Sequence, residues 1–337
     1  MGHRIINKCN FNKNIYHILL IINKTLFNIT RNTNLFMENT SASPLDIRKN
    51  IATYLGLTLL FCLPVYYMCI VTGKLGGGAI SYATIVMWCP AIAALLTCRI
   101  RKIPIASLGW KWGLTKYQLI AYCIPLLYSL IPYLIIWISG AGGFYNHEFV
   151  AETGKGMGWN LPDGVTIILY ILLMSSFGMV RSVGSALGEE IGWRGLLTPQ
   201  LAKINSYTAT SLWMGVIWSL YHYPLLLFSN YNTGGPKWLA LTCFTVMIFA
   251  CCFIFTWLRL KSGSLWTAAI LHASHNLFIQ AIFTPLTVDK GHTNYYIDEF
   301  GIALPIATAI VAYFFWRKRK ELPEQKIEDS NLLTANP

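Results

Sequence analysis

The chain has 337 residues, 55% hydrophobic and only 12% charged, with a formal net charge of +12 and a mean hydropathy of +0.48. Soluble globules carry about 25% charged residues, so the composition excludes one and points to an all-α, polytopic membrane protein. Lys and Arg sit at the ends of apolar runs rather than along one stripe, which is a membrane pattern and speaks against nucleic acid as a partner.

Residues 1–47 are rich in Asn, Ile and Lys, and their apolar run, Ile15 to Ile22, is too short to cross about 30 Å of hydrocarbon as a helix. We expect this stretch to be disordered or a mis-assigned extension, with Met37-Glu38-Asn39-Thr40 as a natural start and residues 1–36 dispensable. A multi-helix membrane domain is expected over residues 48–320, followed by a polar cytoplasmic tail at 321–337.

Eight segments reach the roughly 17 to 25 residues that a spanning helix needs, near 50–72, 79–98, 117–139, 163–182, 207–229, 237–258, 264–285 and 300–316. Alternate loops differ sharply in charge. One set holds Arg48 and Lys49, then Arg99, Arg101, Lys102, Lys111 and Lys116, then Arg181, Arg194 and Lys203, then Arg259 and Lys261, then Arg317 to Lys320. The other holds one Lys each, at 74, 155, 237 and 290. Cytoplasmic loops keep the excess of Lys and Arg, so the pattern predicts a multi-pass cell-membrane protein with both termini cytoplasmic. The matches to the glycosylation pattern at Asn23, Asn28 and Asn39 are then chance, because the N-terminus stays inside. The long outer loop, Gly140 to Pro162, shows no helical period and reads as an irregular cap.

Eight of the nine cysteines (Cys62, Cys69, Cys89, Cys98, Cys123, Cys243, Cys251 and Cys252) lie in or beside apolar runs, and no CxxC occurs. They read as small apolar filler rather than a disulfide framework or a zinc knuckle.

Between Asp163 and Asp289 there are only two carboxylates, and they are adjacent, in Gly188-Glu189-Glu190-Ile191-Gly192-Trp193-Arg194-Gly195. An ionised carboxylate near hydrocarbon costs several kcal/mol unless paired or wetted. Glu190 and Arg194 stand at i,i+4 and can neutralise each other. Glu189 points about 100° away on the helical wheel and is expected to lack a local partner. A solvated ion-pair cluster at a helix end would explain the same residues.

His222, His272 and His275 fall inside expected spans. Each alone reads more readily as a hydrogen-bonder between helices. Together with the carboxylates they offer more. Pro224 can bend its helix beside His222, and His272 and Asn276, four apart, share a face. A carboxylate beside an imidazole can hold and deprotonate water, and a His and an Asn on one face can donate to the oxygen of a tetrahedral intermediate. No HExxH or GxSxG occurs. Glu and two His could still ligate zinc, so a metal-dependent version stays open.

Glu189-Glu190-Ile191-Gly192-Trp193-Arg194, Trp218 to His222, and His272 to Asn276 resemble the EExxxR, FxxxH and HxxxN motifs of the CPBP family, the CAAX-protease-like and bacteriocin-processing intramembrane endopeptidases. All three fall in order within residues 163–285, the expected catalytic core; Trp218 departs from the usual Phe. The resemblance implies a helical membrane fold around a polar, water-filled cavity and a metal-free glutamate mechanism. Glu189 with His222 would hold the attacking water, His272 and Asn276 would serve the oxyanion, and Glu190 with Arg194 would support them. His275 matches no motif position and is left structural. The expected partners are membrane lipids and a peptide or protein substrate, a lipid-modified C-terminus being one option, cut near the cytoplasmic face. For Glu189 to meet His222, the fourth helix must run on to about Gln200. The competing reading is a non-catalytic protein for bacteriocin immunity or peptide binding that uses the same cavity.

Overall fold

The computed structural model describes residues 43–73, 75, 81–229, 231 and 234–323. Most of the expected N-terminal extension, its glycosylation matches and the tail beyond Pro323 lie outside the described residues. The chain divides into units at 1–46 and 47–337, and the architecture below is that of the second.

Helices dominate, and their ends follow the local chemistry. Helix α1, Pro44–Thr72, has Pro in its first turn, where the missing N–H is not needed, and Asp46 beside the positive end of the helix dipole. Helix α2, Tyr82–Ile100, starts at Ser81, whose side chain accepts from the Thr84 N–H. Helix α3, Thr115–Ser139, stops at Gly140, which takes a φ of 79°.

The segment between Gly140 and Pro162 corrects the expectation of an irregular cap. Helix α4, His147–Met157, begins at Asn146, whose side chain accepts from the Phe149 N–H, and ends at Gly158 with φ 68°. Only Val150 and Gly154 of α4 are buried, so the hydrophobic period that would reveal it is nearly absent.

Helix α5, Asp163–Ile204, is continuous over 42 residues. It widens into π turns at Met174–Gly178 and Ile191–Leu197. The extension past Gln200 that the motifs require is therefore present. Helices α6, Tyr207–Phe228, and α7, Lys237–Ser262, follow. Helix α8 runs from Leu265 through a π turn at Leu277–Phe283 to Leu286, and α9 spans Ala303–Arg317. All eight expected segments are thus largely helical, and among the described residues five helices are long and apolar enough to cross a membrane: α1, α2, α3, α5 and α7. The protein is an all-α polytopic membrane protein, with lipid-compatible residues such as Ile138, Phe177 and Val180 exposed on its surface.

Two sets of contacts define the ends of the bundle. At one end, strand β1, Gly143–Phe144, pairs antiparallel with β2, Thr287–Val288, and Thr293 donates its hydroxyl to Ala141 O. At the other, Arg101 donates to Asn50, Asn50 to Gln200, and the Trp257 indole to Lys318 O.

Helix α5 lies hard against α2. A Cβ on Gly188 would come within 2.6 Å of Met87 O, and one on Gly192 within 2.7 Å of Pro90 O. This small-xxx-small spacing brings two backbones together and fixes the height of the intervening Glu189. Gly184 has nothing within 4 Å. Gly192→Ala is expected to lose roughly 1–3 kcal/mol through overpacking, read as a lower midpoint in thermal unfolding of detergent-solubilised protein, while Gly184→Ala is neutral or slightly stabilising.

Candidate active site

The two glutamates end the regular part of α5 immediately before its second π turn. Such widened turns occur frequently at functional sites. Here the turn leaves both i,i+4 contacts intact. Glu189 Oε2 accepts from the Trp193 indole at 3.1 Å and from the Trp218 indole at 2.8 Å. Glu189 therefore has a local partner, contrary to the sequence expectation. Trp193, one turn on, was hidden by its indole, which reads as core filler although it carries a donor. Indole N–H groups only donate, so Glu189 Oε2 is the acceptor in both bonds. The second oxygen, Oε1, has no protein donor among the described residues, and the side chain lines a cavity.

Glu190 turns the other way and is 0% exposed. Its Oε1 accepts from Arg194 Nη1 at 2.9 Å and from His272 Nδ1 at 2.8 Å. The guanidinium of Arg194 lies 4.0 Å from the Trp218 ring centre and 3.9 Å from that of Phe255, between two aromatic rings. This is a buried triad, not a solvated cluster at a helix end. It also gives His272 a fixed orientation: a carboxylate can only accept, so Nδ1 carries hydrogen and Nε2 is free of that bond.

His222 is oriented in the same way. Its Nδ1 donates to Trp218 O at 2.8 Å, a carbonyl that can only accept, and its Nε2 has no protein partner among the described residues. The Pro224 ring lies two residues further on, within α6.

A cavity of about 200 Å³ gathers these groups. Glu189, His222, His272 and Asn276 all line it, while Glu190 and Arg194 pack behind it. At about 30 Å³ per water, it is large enough for several water molecules. Its other polar wall comes from residues the sequence reading did not use. His275 Nε2 donates to Glu299 Oε1 at 2.9 Å, and Gln280 donates to the same oxygen at 3.0 Å. Tyr128 O–H and His275 Nδ1 lie 2.6 Å apart, with Tyr128 the donor when the ring is neutral, and Tyr231 donates to Glu299 Oε2 at 3.2 Å.

Glu299 lies in the connection between α8 and α9, beyond the segment that holds the motifs. Burial acts to raise its carboxyl, but the hydrogen bond and charge of His275 outweigh that and hold it below the usual range. Burial pushes the neighbouring Asp298 up to about 7, with the Glu299 charge adding to the rise. Among the described residues, no three His, Cys, Asp or Glu side chains converge in a manner that could hold a metal ion.

Fold and site together define a helical membrane protein whose interior cavity is lined by a carboxylate and imidazoles with fixed tautomers. Residues 166–278 match the family described as Type II CAAX prenyl endopeptidase Rce1-like. A CAAX prenyl protease 2 of Methanococcus maripaludis is 29% identical over 198 residues, a stretch covering 56% of this chain and 65% of that protein's length. The matched stretch holds all three motifs, so the chain is similar to this family over about a third of its length.

Proposed function

We propose that the protein is an intramembrane endopeptidase that hydrolyses a peptide bond with water activated by Glu189 and His222. The observation carrying this reading is the asymmetry of Glu189. Two indoles fix one oxygen, and the other faces a cavity shared with His222, His272 and Asn276. Water between Glu189 Oε1 and His222 Nε2 loses a proton to the carboxylate as its oxygen attacks the peptide carbonyl. The carbonyl oxygen gains the displaced electron pair and is met by Nδ2 of Asn276 and by Nε2 of His272. For His272 to donate there, its ring must hold both protons, and the Glu190 carboxylate on Nδ1 stabilises that form. Collapse of the intermediate breaks the C–N bond, and the proton held by Glu189 passes to the leaving amine.

The excess of Lys and Arg in alternate loops supports a cytoplasmic location for both termini. The substrate is a peptide or protein segment that reaches the cavity within the lipid.

Comparing membranes that carry the wild type with membranes that carry His222→Ala tests the proposal. Peptide termini present only with the wild type, detected by mass spectrometry, are the expected result, with both proteins inserted to equal levels. Identical sets of termini would refute hydrolysis. A strong chelator is expected to leave the wild-type termini unchanged; their loss, and recovery on adding zinc, would establish a metal-dependent reaction instead.

A further inference from the structure

Glu299 is a buried carboxylate that the proposed reaction leaves unused. The backbone around it is shaped to hold it. Asp298 takes a φ of 64°, uncommon for a residue with a Cβ, and a Cβ on Gly301 would collide with the Ile297 carbonyl. Backbone of this kind persists where the surrounding structure fixes it, and it clusters at functional sites. The Asp298 N–H donates to the Tyr133 hydroxyl oxygen at 3.1 Å, and the Glu299 N–H to Asp298 Oδ1 at 2.6 Å. The turn places the Glu299 side chain in the cavity wall.

Three donors from two parts of the chain end on that carboxylate. Oε1 accepts from His275 Nε2 at 2.9 Å and from the Gln280 carboxamide at 3.0 Å. Residues five apart diverge by about 140° on a regular α-helix. His275 and Gln280 straddle the point where α8 widens into its π turn, and the i→i+5 pattern of such a turn brings them to one face. Asn276 stands at that junction, beside His275, and lines the cavity. Glu299 thus pins α8 on both sides of Asn276. Its other oxygen, Oε2, accepts from the Tyr231 O–H at 3.2 Å, and the Tyr231 ring lies within 22° of parallel to that of His222, 6.4 Å between centres. Phe300 extends the same support. It packs edge-on against Tyr231 at 5.3 Å and stacks on Phe244 at 5.9 Å, and the Phe244 ring is 5.0 Å from that of His222.

We propose that Glu299 is a positioning residue for the reaction: through His275 and Gln280 it fixes how α8 presents Asn276, and through Tyr231 it fixes the His222 ring on α6. The proposal rests on the peptidase reading above. His222 holds the attacking water and Asn276 meets the oxyanion, yet they belong to different helices, so a group that touches the supports of both sets their separation. A misplacement of about 1 Å can cost about 10²-fold in rate. Three donors already engage the Glu299 oxygens, so the carboxylate holds its neighbours and does not take the proton of the water.

Steady-state cleavage by purified full-length protein in detergent micelles tests the proposal. The probe is a fluorogenic decapeptide spanning a cut found in wild-type membranes and not in His222→Ala membranes. Glu299→Gln keeps the volume but sets an amide, which donates as well as accepts, against three donors. It is expected to lower kcat at least tenfold, though by less than Glu189→Gln does, with KM within threefold of the wild type. Thr293→Val is the structural control. Thr293 is buried in the same connection and donates to Ala141 O at 2.7 Å, so its loss is expected to lower the thermal midpoint while kcat stays within threefold. Tyr231→Phe and Gln280→Leu each remove one donor and leave the carboxylate. Each is expected to lower kcat at least threefold, and Tyr231→Phe combined with Glu299→Gln to lose less than the product of the two single losses. These two variants decide the matter if Glu299→Gln does not accumulate, and wild-type rates in both overturn the proposal. A fall of less than tenfold in Glu299→Gln, a loss confined to KM, or an equal fall in kcat for Thr293→Val also overturns it. So does a loss as large as that of Glu189→Gln, which would make Glu299 a reacting group. Absence of any wild-type cleavage ends the peptidase reading and this proposal together, whereas wild-type cleavage that the variants retain ends this proposal alone.

Discussion

Glu189→Gln is expected to abolish peptide cleavage, lowering kcat by at least about 10³-fold, within the range that a general base supplies, while the protein inserts and unfolds like the wild type. The carboxamide has the volume of the carboxylate, and its carbonyl oxygen can still accept from the indoles of Trp193 and Trp218, which now donate at 3.1 and 2.8 Å. What it lacks is the lone-pair basicity to take a proton from water. The result separates catalysis from simple binding, because a cavity that only held a peptide would tolerate the change. A companion variant reads the anchoring. Trp218→Phe restores the aromatic that the family motif usually carries but removes one donor to the carboxylate. A hydrogen bond to a charged group contributes about 1.5–3 kcal/mol. If much of that positions Oε1, kcat falls roughly tenfold or more with little change in KM. Residual cleavage by Glu189→Gln near the wild-type rate would remove Glu189 from the reaction.

How much of this site the sequence displays depends on the kind of residue. Glu189, His222, His272 and Asn276 are legible because ionisable and amide groups inside apolar helices need a reason, and three motif spacings supply it. The length of α5 is legible only through that chemistry: no composition shift marks its passage through the membrane boundary, but Glu189 cannot approach His222 unless the helix runs on. The indole donors are a different case. Trp193 and Trp218 sit where any large apolar residue would pack, and only the coincidence of a donor one turn from an acid signals the contact. Glu299 escapes because it belongs to a loop whose path is set by tertiary contacts, and its partner His275 matches no motif position. Helix α4 is too short and too sparsely buried to show a period. Long-range contacts thus hide what single-helix patterns show.

Arg194→Ala is expected to cost most of the folded protein rather than only its activity. The side chain is 1% exposed, holds Glu190 at 2.9 Å, and fills the slot between the Trp218 and Phe255 rings. Truncation leaves the Glu190 carboxylate buried with only His272 as a partner, and breaking a buried pair from one side costs about 3–5 kcal/mol. The emptied slot adds a cavity penalty. Against a typical total of about 5–15 kcal/mol, the sum is enough to deplete the protein from membranes, measurable as a loss of monodisperse material on size-exclusion chromatography after detergent extraction. Arg194→Lys keeps the charge but not the planar stack between two rings, and falls between the wild type and Ala. The decisive comparison is the double variant Glu190→Gln with Arg194→Met. It removes both charges and keeps most of the volume, so it is expected to accumulate better than Arg194→Ala while remaining inactive, because His272 has then lost the carboxylate that orients it. Equal depletion of both variants would show that neither the lost volume nor the stranded Glu190 charge accounts for the effect, and normal accumulation of Arg194→Ala would show that the buried ion pair within α5 is not what stabilises the fold.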